Sequence, residues 1–169
     1  YSTSDFEKSL QYFTRILEIQ QIRGDELGVA SAYNNIGIIY DELKRYPTAL
    51  DFYHRSLELK ERLRDRGTIA NTINNIGFLY NKLNNPDKAY EYFSKALAIE
   101  EQQRDTLGIF NTLNNIGLYY FQQQAYDSAL RYFNLSLLMG HNLDNNYDKA
   151  HLYNNISNIY LRRGELQKA

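Results

Sequence analysis

The sequence repeats itself every 40 residues without an insertion or a deletion. A first block has Asn-Asn-Ile, then a small residue, then tyrosine three positions later, and it begins at Asn34, Asn74, Asn114 and Asn154. A second block, in which alanine precedes an aromatic residue by four positions, has its alanine at Ala49, Ala89 and Ala129. Matched blocks in strict register predict a chain built from stacked copies of one small structural unit.

Both blocks have the periodicity of an amphipathic helix. In the first block Tyr33, Gly37 and Tyr40 lie three or four residues apart, and the second block has a similar stripe that Lys60 interrupts. Turn-forming residues separate the blocks, so each unit is a pair of helices, helix A and then helix B. The predicted helices span residues 4–23, 27–43, 46–64, 67–83, 86–104, 107–123, 126–142 and 147–163. No segment alternates at period two for long enough to predict a strand.

Small residues recur where the two helices of a pair must approach closely. On helix A this position holds Gly37, Gly77, Gly117 and Ser157. The alanine of the second block does the reciprocal job on helix B, and large rings such as Tyr40 and Tyr53 fill the space beside it. Because one pair cannot bury both of its faces, neighbouring pairs must stack and form a solenoid.

These residues resemble the signature of the tetratricopeptide repeat family. The family's pattern is followed by Asn35-Ile36-Gly37, by Tyr40, by Ala49 and by Tyr53, with isoleucine in place of leucine. The period of 40 residues exceeds the usual 34. In this it resembles the longer-helix subclass found in kinesin light chain, in Leu-Gly-Asn-type polarity scaffolds and in bacterial peptide-responsive regulators. The resemblance implies an all-α, right-handed superhelical solenoid of antiparallel helix pairs.

The register also predicts how the chain is divided. We expect residues 1–169 to form a single array fragment, with a partial repeat at 1–24, repeats at 27–64, 67–104 and 107–144, and a truncated repeat at 147–169. The first of these matches a helix B without its helix A, and the last a helix A without most of its helix B. The uncovered apolar stripes predict self-association through the ends. They are Phe6, Leu10, Phe13, Ile16 and Leu17 at one end, and Tyr153, Ile156 and Tyr160 at the other.

The composition excludes several classes of protein. The 19 basic and 20 acidic side chains give a net charge of -1, without the basic excess that nucleic acid or an anionic membrane surface would require. No apolar run approaches the length of a membrane span. The chain has no cysteine, which removes thiolate nucleophiles, disulfides and cysteine-bound zinc. The sequence therefore predicts neither a nucleic-acid partner nor a membrane partner.

No residue pattern points to catalysis, to a metal or to a cofactor. The three histidines have no second ligand at metal-binding spacing, and no glycine-rich phosphate loop is present. Carboxylates such as Asp41–Glu42 and Glu100–Glu101 are expected on solvated helix faces, whereas a general acid or base would be buried with a shifted pKa. We therefore expect a non-enzymatic protein with no catalytic residue, no metal ligand and no cofactor.

By the resemblance, the outward face of helix A lines a concave groove. The expected peptide-binding residues are Asn34, Asn35, Ile38, Asn74, Asn75, Phe78, Asn114, Asn115, Leu118, Asn154 and Asn155. A carboxamide both donates and accepts, so it matches the NH and CO groups of a peptide. Two other interpretations remain open: the first asparagine of each pair bonds to the adjacent helix A, and the three apolar residues pack between repeats. The second asparagine of each pair is expected to be the more exposed.

Three functions are compatible with such a chain. The leading hypothesis is a protein-interaction module that binds a peptide or a partner helix in the asparagine-lined groove. The second is a ligand-responsive sensor, as the regulatory region of a bacterial signalling protein. The third is a structural spacer or self-assembling array. The absence of cysteine fits either redox compartment, so the sequence predicts no location.

Overall fold

Helices account for almost all of the chain that the structure describes. The structure, a computed structural model, describes residues 3–143 and 146–164. The helices are α1 (Thr3–Arg23), α2 (Glu26–Glu42), α3 (Tyr46–Arg62), α4 (Ile69–Lys82), α5 (Pro86–Gln103), α6 (Thr106–Gln122), α7 (Tyr126–Met139) and α8 (Asn146–Arg162). The described residues contain no strand, and none of their helices is long and apolar enough to cross a membrane. The all-α prediction is confirmed, with helix ends displaced by at most three residues.

The chain divides into two compact units, residues 1–85 with α1–α4 and residues 86–169 with α5–α8. In the first unit α2 and α3 form the most extensive pair, with α1 against α2 and α4 against α3. In the second unit α6 and α7 form the most extensive pair, with α5 against α6 and α8 against α7. Even-numbered helices are A helices and odd-numbered helices are B helices. Each unit therefore holds one complete A–B pair between a preceding helix B and a following helix A. The predicted start of a further helix B, at 165–169, lies outside the described residues.

The small residues of helix A lie where it meets helix B. A Cβ atom added to Gly37 would lie 2.7 Å from the ring of Tyr53, and one added to Gly117 would collide with the ring of Phe133 in the same way. Carbon atoms do not approach so closely, so glycine is what permits this contact. The alanines at the corresponding position of helix B are fully buried, namely Ala49, Ala89 and Ala129.

Each turn between α1 and α7, and the turn that follows α8, contains a residue in the left-handed backbone conformation, again with the 40-residue period. From helix A to helix B this residue is Lys44, Asn84, Gln124 or Gly164, with φ from 55° to 72°. From helix B to helix A it is Gly24, Arg64 or Arg104. A Cβ atom disfavours this conformation, so the repeats share the turn geometry even where they do not share a glycine.

Helix α4 begins two residues later than predicted because its capping residue bonds elsewhere. Before α2 and α6, an aspartate accepts a hydrogen bond from the amide three residues on. The equivalent Asp65 accepts instead from the amide of Gly67 at 2.9 Å and from the hydroxyl of Thr68 at 2.6 Å. These bonds keep the segment in a turn, and the helix starts at Ile69.

Helix α7 ends three residues earlier than predicted because the chain turns at Gly140. The ring of Phe110 occupies the space that a Gly140 side chain would need, 2.5 Å from its ideal Cβ position. The ammonium group of Lys149 donates to the carbonyl oxygens of Leu143 at 2.6 Å and His141 at 3.2 Å. These bonds hold the turn against α8.

Among the described residues three charged side chains are buried, and two of them are carboxylates that the sequence placed on solvated faces. Asp41, Lys60 and Glu100 have exposed fractions of 7%, 3% and 1%. The expectation was wrong for Asp41 and Glu100 because each side chain faces a helix of the neighbouring repeat, Asp41 facing Lys82 on α4 and Glu100 facing Thr112 on α6. A position beside the apolar stripe therefore faces a second packing contact. The adjacent Glu42 and Glu101 are exposed, as expected.

Candidate functional site

Asparagine side chains join neighbouring A helices within each unit. In the first unit the Nδ2 group of Asn75 donates to Oδ1 of Asn34 at 3.2 Å. In the second unit Asn155 donates to Asn114 in the same way at 3.4 Å. Both pairs are separated by 41 residues, so the bond recurs in the repeat register. These contacts support the interpretation in which the first asparagine of a pair bonds to the adjacent helix A.

The bonded carboxamides retain part of their hydrogen-bonding capacity. Oδ1 of Asn34 also accepts from the Thr72 hydroxyl at 3.1 Å, which occupies both of its lone pairs. Its Nδ2 group bonds to nothing within the described ranges, and the half-buried Asn35 likewise has no side-chain hydrogen bond there. Both side chains can therefore bond to a ligand without breaking an internal contact.

Exposure differs among the eight asparagines. Asn74 is buried, whereas Asn154 is exposed. The others are half-buried, namely Asn34, Asn35, Asn75, Asn114, Asn115 and Asn155. The second asparagine is the more exposed of its pair in the second copy of the block, as expected. In the fourth copy the expectation is wrong, because the first asparagine is the more exposed. There Asn155 turns towards α6, and no further A helix follows within the described residues to cover Asn154.

The three apolar residues of the predicted groove have different surroundings. Ile38 is 40% exposed. Phe78 is half-buried beneath the ammonium group of Lys82, which lies 4.7 Å from the ring centroid. Leu118 packs against the apolar core of the second unit. Packing between helices thus accounts for Leu118, while Ile38 remains accessible.

A second contact joins adjacent A helices about two helical turns beyond the bonded asparagines. In the first unit the ammonium group of Lys82 bonds to both carboxylate oxygens of Asp41, at 2.8 and 2.9 Å. At the same two positions of the second unit, the Arg162 guanidinium lies 5.2 Å from the ring centroid of Phe121. The two residues of each contact are again 41 positions apart in the sequence. The salt bridge neutralises the charge of Asp41.

A buried network connects the Asn34–Asn75 pair to the core of the first unit. The ammonium group of Lys60 donates to the Thr72 hydroxyl at 2.9 Å and to the Thr68 carbonyl at 3.1 Å, and Thr72 in turn donates to Asn34. Burial lowers the pKa of Lys60, and the nearby carboxylate of Asp65 partly opposes this effect. The network fixes the position of the carboxamides.

Glu100 takes the place of Lys60 in the second unit. Its Oε1 atom accepts from the Thr112 hydroxyl at 2.9 Å, while its buried Oε2 atom has no hydrogen-bond partner. Burial raises the pKa of the carboxyl group; the Thr112 bond opposes the shift, and the negative charges of Asp105 and Glu101 add to it. At 1% exposure the group is out of reach of a substrate. The described residues also contain no cluster of three or more potential metal ligands.

A cavity of about 310 Å³ lies between α1 and α2 in the first unit. From α2 it is lined by Asn35 and Ile38 of the predicted groove, together with Glu42. From α1 it is lined by Asp5, Phe6, Ser9 and Phe13, which the predicted site did not include. The repeat register could have identified them, because α1 occupies the position of a preceding helix B.

Comparisons with known proteins agree with this architecture. A tetratricopeptide repeat model matches residues 1–62, 68–139 and 108–169, which together cover nearly the whole chain. No curated protein matches the sequence.

Several solved structures are similar to this chain at low sequence identity. The apo form of RapI gives a TM-score of 0.76 at 22% identity, over 98% of this chain and 58% of RapI. BtubC from P. vanneervenii gives 0.73 at 18% identity, over 98% of this chain and 84% of BtubC. The Rap conjugation gene regulator of the plasmid pLS20, in complex with the Phr* peptide, gives 0.60 at 13% identity, over 95% of this chain and 55% of the regulator. These similarities show a shared fold, and the chain spans little more than half of each Rap protein.

Proposed function

Because the chain belongs to the tetratricopeptide repeat family, we propose that it is a non-enzymatic protein-interaction module that binds an extended peptide or a partner helix. The binding surface is the asparagine-lined face of its A helices. The observation that carries the proposal is the recurring asparagine pair, which bonds across adjacent A helices in both units. Side chains held in place lose little conformational freedom on binding, which favours affinity.

The chemistry of this face suits a peptide backbone more than a charged ligand. The Nδ2 group of Asn34 and the whole carboxamide of Asn35 supply donors and an acceptor to the NH and CO groups of a peptide. Asp41 is already neutralised by Lys82, and Ile38 offers an exposed apolar contact. We therefore expect binding that depends only weakly on salt concentration.

A display library of random peptides provides the test, since the natural ligand is not identified. Peptides selected on the wild-type chain are titrated by calorimetry against a variant with alanine at Asn35, Asn75 and Asn115. The expected result is a loss of affinity of about tenfold or more, because each lost hydrogen bond contributes about 0.5–1.5 kcal/mol.

A matched control removes three carboxamides from exposed positions on B helices, with alanine at Gln11, Gln102 and Asn134. This control should bind the selected peptides with wild-type affinity. Equal affinity of the groove variant and the control would contradict the proposal. So would binding that collapses between low and high salt, since that result indicates recognition of charge.

A ligand-responsive sensor is the second candidate function. It is favoured by the similarity to the Rap conjugation gene regulator in complex with the Phr* peptide. The two candidates differ in what binding does, because a sensor must bind its ligand with different affinity in two conformations. A selected peptide that changes the small-angle scattering profile of the chain supports the sensor, and an unchanged profile supports a passive interaction module.

The proposal also includes self-association through the ends of the helix array, which would make the chain a self-assembling element. The exposed Tyr12 on α1 and the exposed Tyr153 on α8 support this part of the proposal.

A further inference from the structure

We infer that the buried Lys60 is a positioning residue of the asparagine-lined face. It fixes the orientation of the Asn34 carboxamide, so that Asn34 offers the ligand a donor and binds a backbone carbonyl oxygen of the peptide. This role rests on the proposed function, because it belongs to the same binding surface. It adds which atom of a peptide the first unit recognises, and which buried side chain determines that choice.

A carboxamide can present either of two groups to a ligand. Rotation about its last side-chain torsion exchanges the oxygen, which accepts hydrogen bonds, with the amino group, which donates them. The two orientations have nearly the same shape, so the neighbouring hydrogen-bonding groups select between them. At Asn34 these neighbours are Thr72 and Asn75 on α4, and both donate to Oδ1, at 3.1 and 3.2 Å.

The ammonium group of Lys60 determines which way the Thr72 hydroxyl points. Lys60 donates to Oγ1 of Thr72 at 2.9 Å, and an ammonium group has donors but no acceptor. The Thr72 proton is therefore directed away from Lys60, to Oδ1 of Asn34 at 3.1 Å. Oγ of Ser56 is farther from Thr72, at 3.5 Å, and it cannot replace Lys60 as the donor because it donates to the Ala30 carbonyl at 2.7 Å.

The surroundings of Lys60 suit its charged form. Its second bond, at 3.1 Å, is to the carbonyl oxygen of Thr68, which can only accept. Burial lowers the pKa of Lys60, and the carboxylate of Asp65 opposes that shift. The nitrogen acts as a donor in both of its contacts, so the polarity of the Thr72 hydroxyl is imposed from the core of the first unit.

Because Oδ1 is occupied twice, Asn34 presents only its amino group. That group bonds to nothing among the described residues and is reached by solvent. The amino group of Asn114 is likewise accessible and without a partner in the described ranges, although complete repeats precede it in the chain. A free Nδ2 group at this position is therefore a property of the repeat.

The first unit differs from the second in how firmly this donor is fixed. In the second unit the counterparts of Lys60 and Thr72 are Gly140 and Leu152, which supply neither the cation nor the hydroxyl. The oxygen of Asn114 there accepts a single bond, at 3.4 Å. We expect the Asn114 carboxamide to be less firmly oriented, so the fixed donor is specific to the first unit.

The test titrates peptides selected from the display library against variants of the whole chain. Asn34→Asp keeps an oxygen that accepts from Thr72 and Asn75 but replaces the outward donor with a second oxygen. It should weaken peptide binding by about tenfold or more, because a carboxylate oxygen then faces the peptide carbonyl. Lys60→Met keeps the apolar stem without the ammonium group. It should weaken binding by about threefold, because Asn34 must then be oriented on binding.

A double variant separates positioning from a merely structural role. A carboxylate presents oxygen in either orientation, so Lys60→Met should cause no further loss of affinity in the Asn34→Asp chain. If Lys60 only stabilised the fold, its loss would lower the affinity by the same factor in both chains. Lys8→Met removes an exposed lysine from α1 and is the matched control, which should bind as wild type does. Helical content measured by circular dichroism checks that each variant is folded.

The side-chain amide signals of Asn34 give a second readout that needs no ligand. In proton–nitrogen correlation spectra we expect one sharp pair of signals for the wild-type chain. In Lys60→Met the signals should broaden or duplicate, since both orientations of the carboxamide become populated. Signals that are the same in both chains, or equal losses of affinity in the two backgrounds, refute the role of Lys60.

The outcomes also distinguish this role from the proposed function. Peptides that bind with wild-type affinity to the variant with alanine at Asn35, Asn75 and Asn115 refute the proposed function, and with it the role of Lys60. Peptides that require those asparagines but bind Asn34→Asp without loss refute the assigned donor alone.

Discussion

The α3–α4 junction of the first unit and the α5–α6 junction of the second place opposite charges at the same position of the repeat. Lys60 and Glu100 are 40 residues apart, both are buried, and each bonds to a threonine 12 residues later. The threonine hydroxyl accepts from the lysine at one junction and donates to the glutamate at the other. One backbone arrangement accommodates either charge because a hydroxyl can do both.

The two junctions differ in how completely the charge is satisfied. Lys60 has two hydrogen-bond acceptors, whereas one oxygen of Glu100 is buried without a partner. A third copy of the position holds Gly140, 12 residues before the fully buried Leu152. The repeat therefore does not require a charge at this position. Of the two charged junctions, the one with Glu100 is the less favourable.

The largest effect is expected where the two units are alike. Ala49→Leu and Ala129→Leu should each lower the free energy of unfolding by about 1–3 kcal/mol, because both alanines are fully buried and a larger side chain overpacks the contact. We expect the same for Ala89→Leu. Denaturant titration measures the change. A loss confined to one unit would mean that the difference between the units extends beyond the charged junctions.

Removing the hydroxyl at the lysine junction should be almost as damaging. Thr72→Val leaves the buried ammonium of Lys60 with one acceptor and Asn34 without one of its donors, at a cost of about 1–3 kcal/mol. Burial lowers the folded-state pKa of Lys60 below 10.5, so the part of the loss that depends on its ammonium group should shrink as the pH rises through that lowered pKa and be absent by pH 10.5. Thr14→Val, on the exposed face of α1, is the control and should change little. Equal losses from both variants would argue against the buried network.

The free energy of unfolding should depend on pH with the opposite sign at the glutamate junction. The pKa of Glu100 is raised above its ordinary 4.5, so wild-type stability is greatest below that pH and falls as the pH rises through the raised pKa. Glu100→Gln removes this fall and should be more stable than wild type by about 1 kcal/mol at neutral pH. Parallel unfolding curves recorded from pH 4 to pH 8 test the prediction. A constant difference across that range would show that Glu100 titrates normally.

The contacts between A helices offer a smaller comparison. A double-mutant cycle on Asp41→Asn and Lys82→Gln should give a coupling of about 1 kcal/mol that decreases with added salt. The cycle on Phe121→Leu and Arg162→Gln should give about 0.5 kcal/mol, with little salt dependence. Equal salt dependence would mean that the two contacts share one physical basis.

The smallest effect is expected at the turns, where the units should again agree. Lys44→Gly and Gln124→Gly should each stabilise the chain by about 0.5 kcal/mol, because both residues have a positive φ that a Cβ atom disfavours. Thermal melts measure the gain. Destabilisation by either glycine would show that the replaced side chain makes a stabilising contact.

Much of the fold was predictable because each packing contact recurs in several repeats. Glycine opposite an aromatic ring recurs at a fixed distance, and so does the alanine on the partner helix. The start of α4 and the end of α7 were misplaced, and each is set by local contacts, the side-chain bonds of Asp65 and the turn at Gly140. The aspartate itself recurs at Asp25 and Asp105, but its bonds to Gly67 and Thr68 occur once among the described residues, so the repetition could not reveal them.

The sequence by itself determined the helix pairs, their register and the small-residue contacts, because a 3.6-residue period marks one buried stripe on each helix. Only the tertiary structure decided which carboxamides bond to each other, that Lys60 and Glu100 are buried, and that α1 and α2 enclose a groove. The reason is that a helix in a stacked array is covered on more than one side. The second contact depends on the neighbouring repeat, and the pattern of a single helix does not record it.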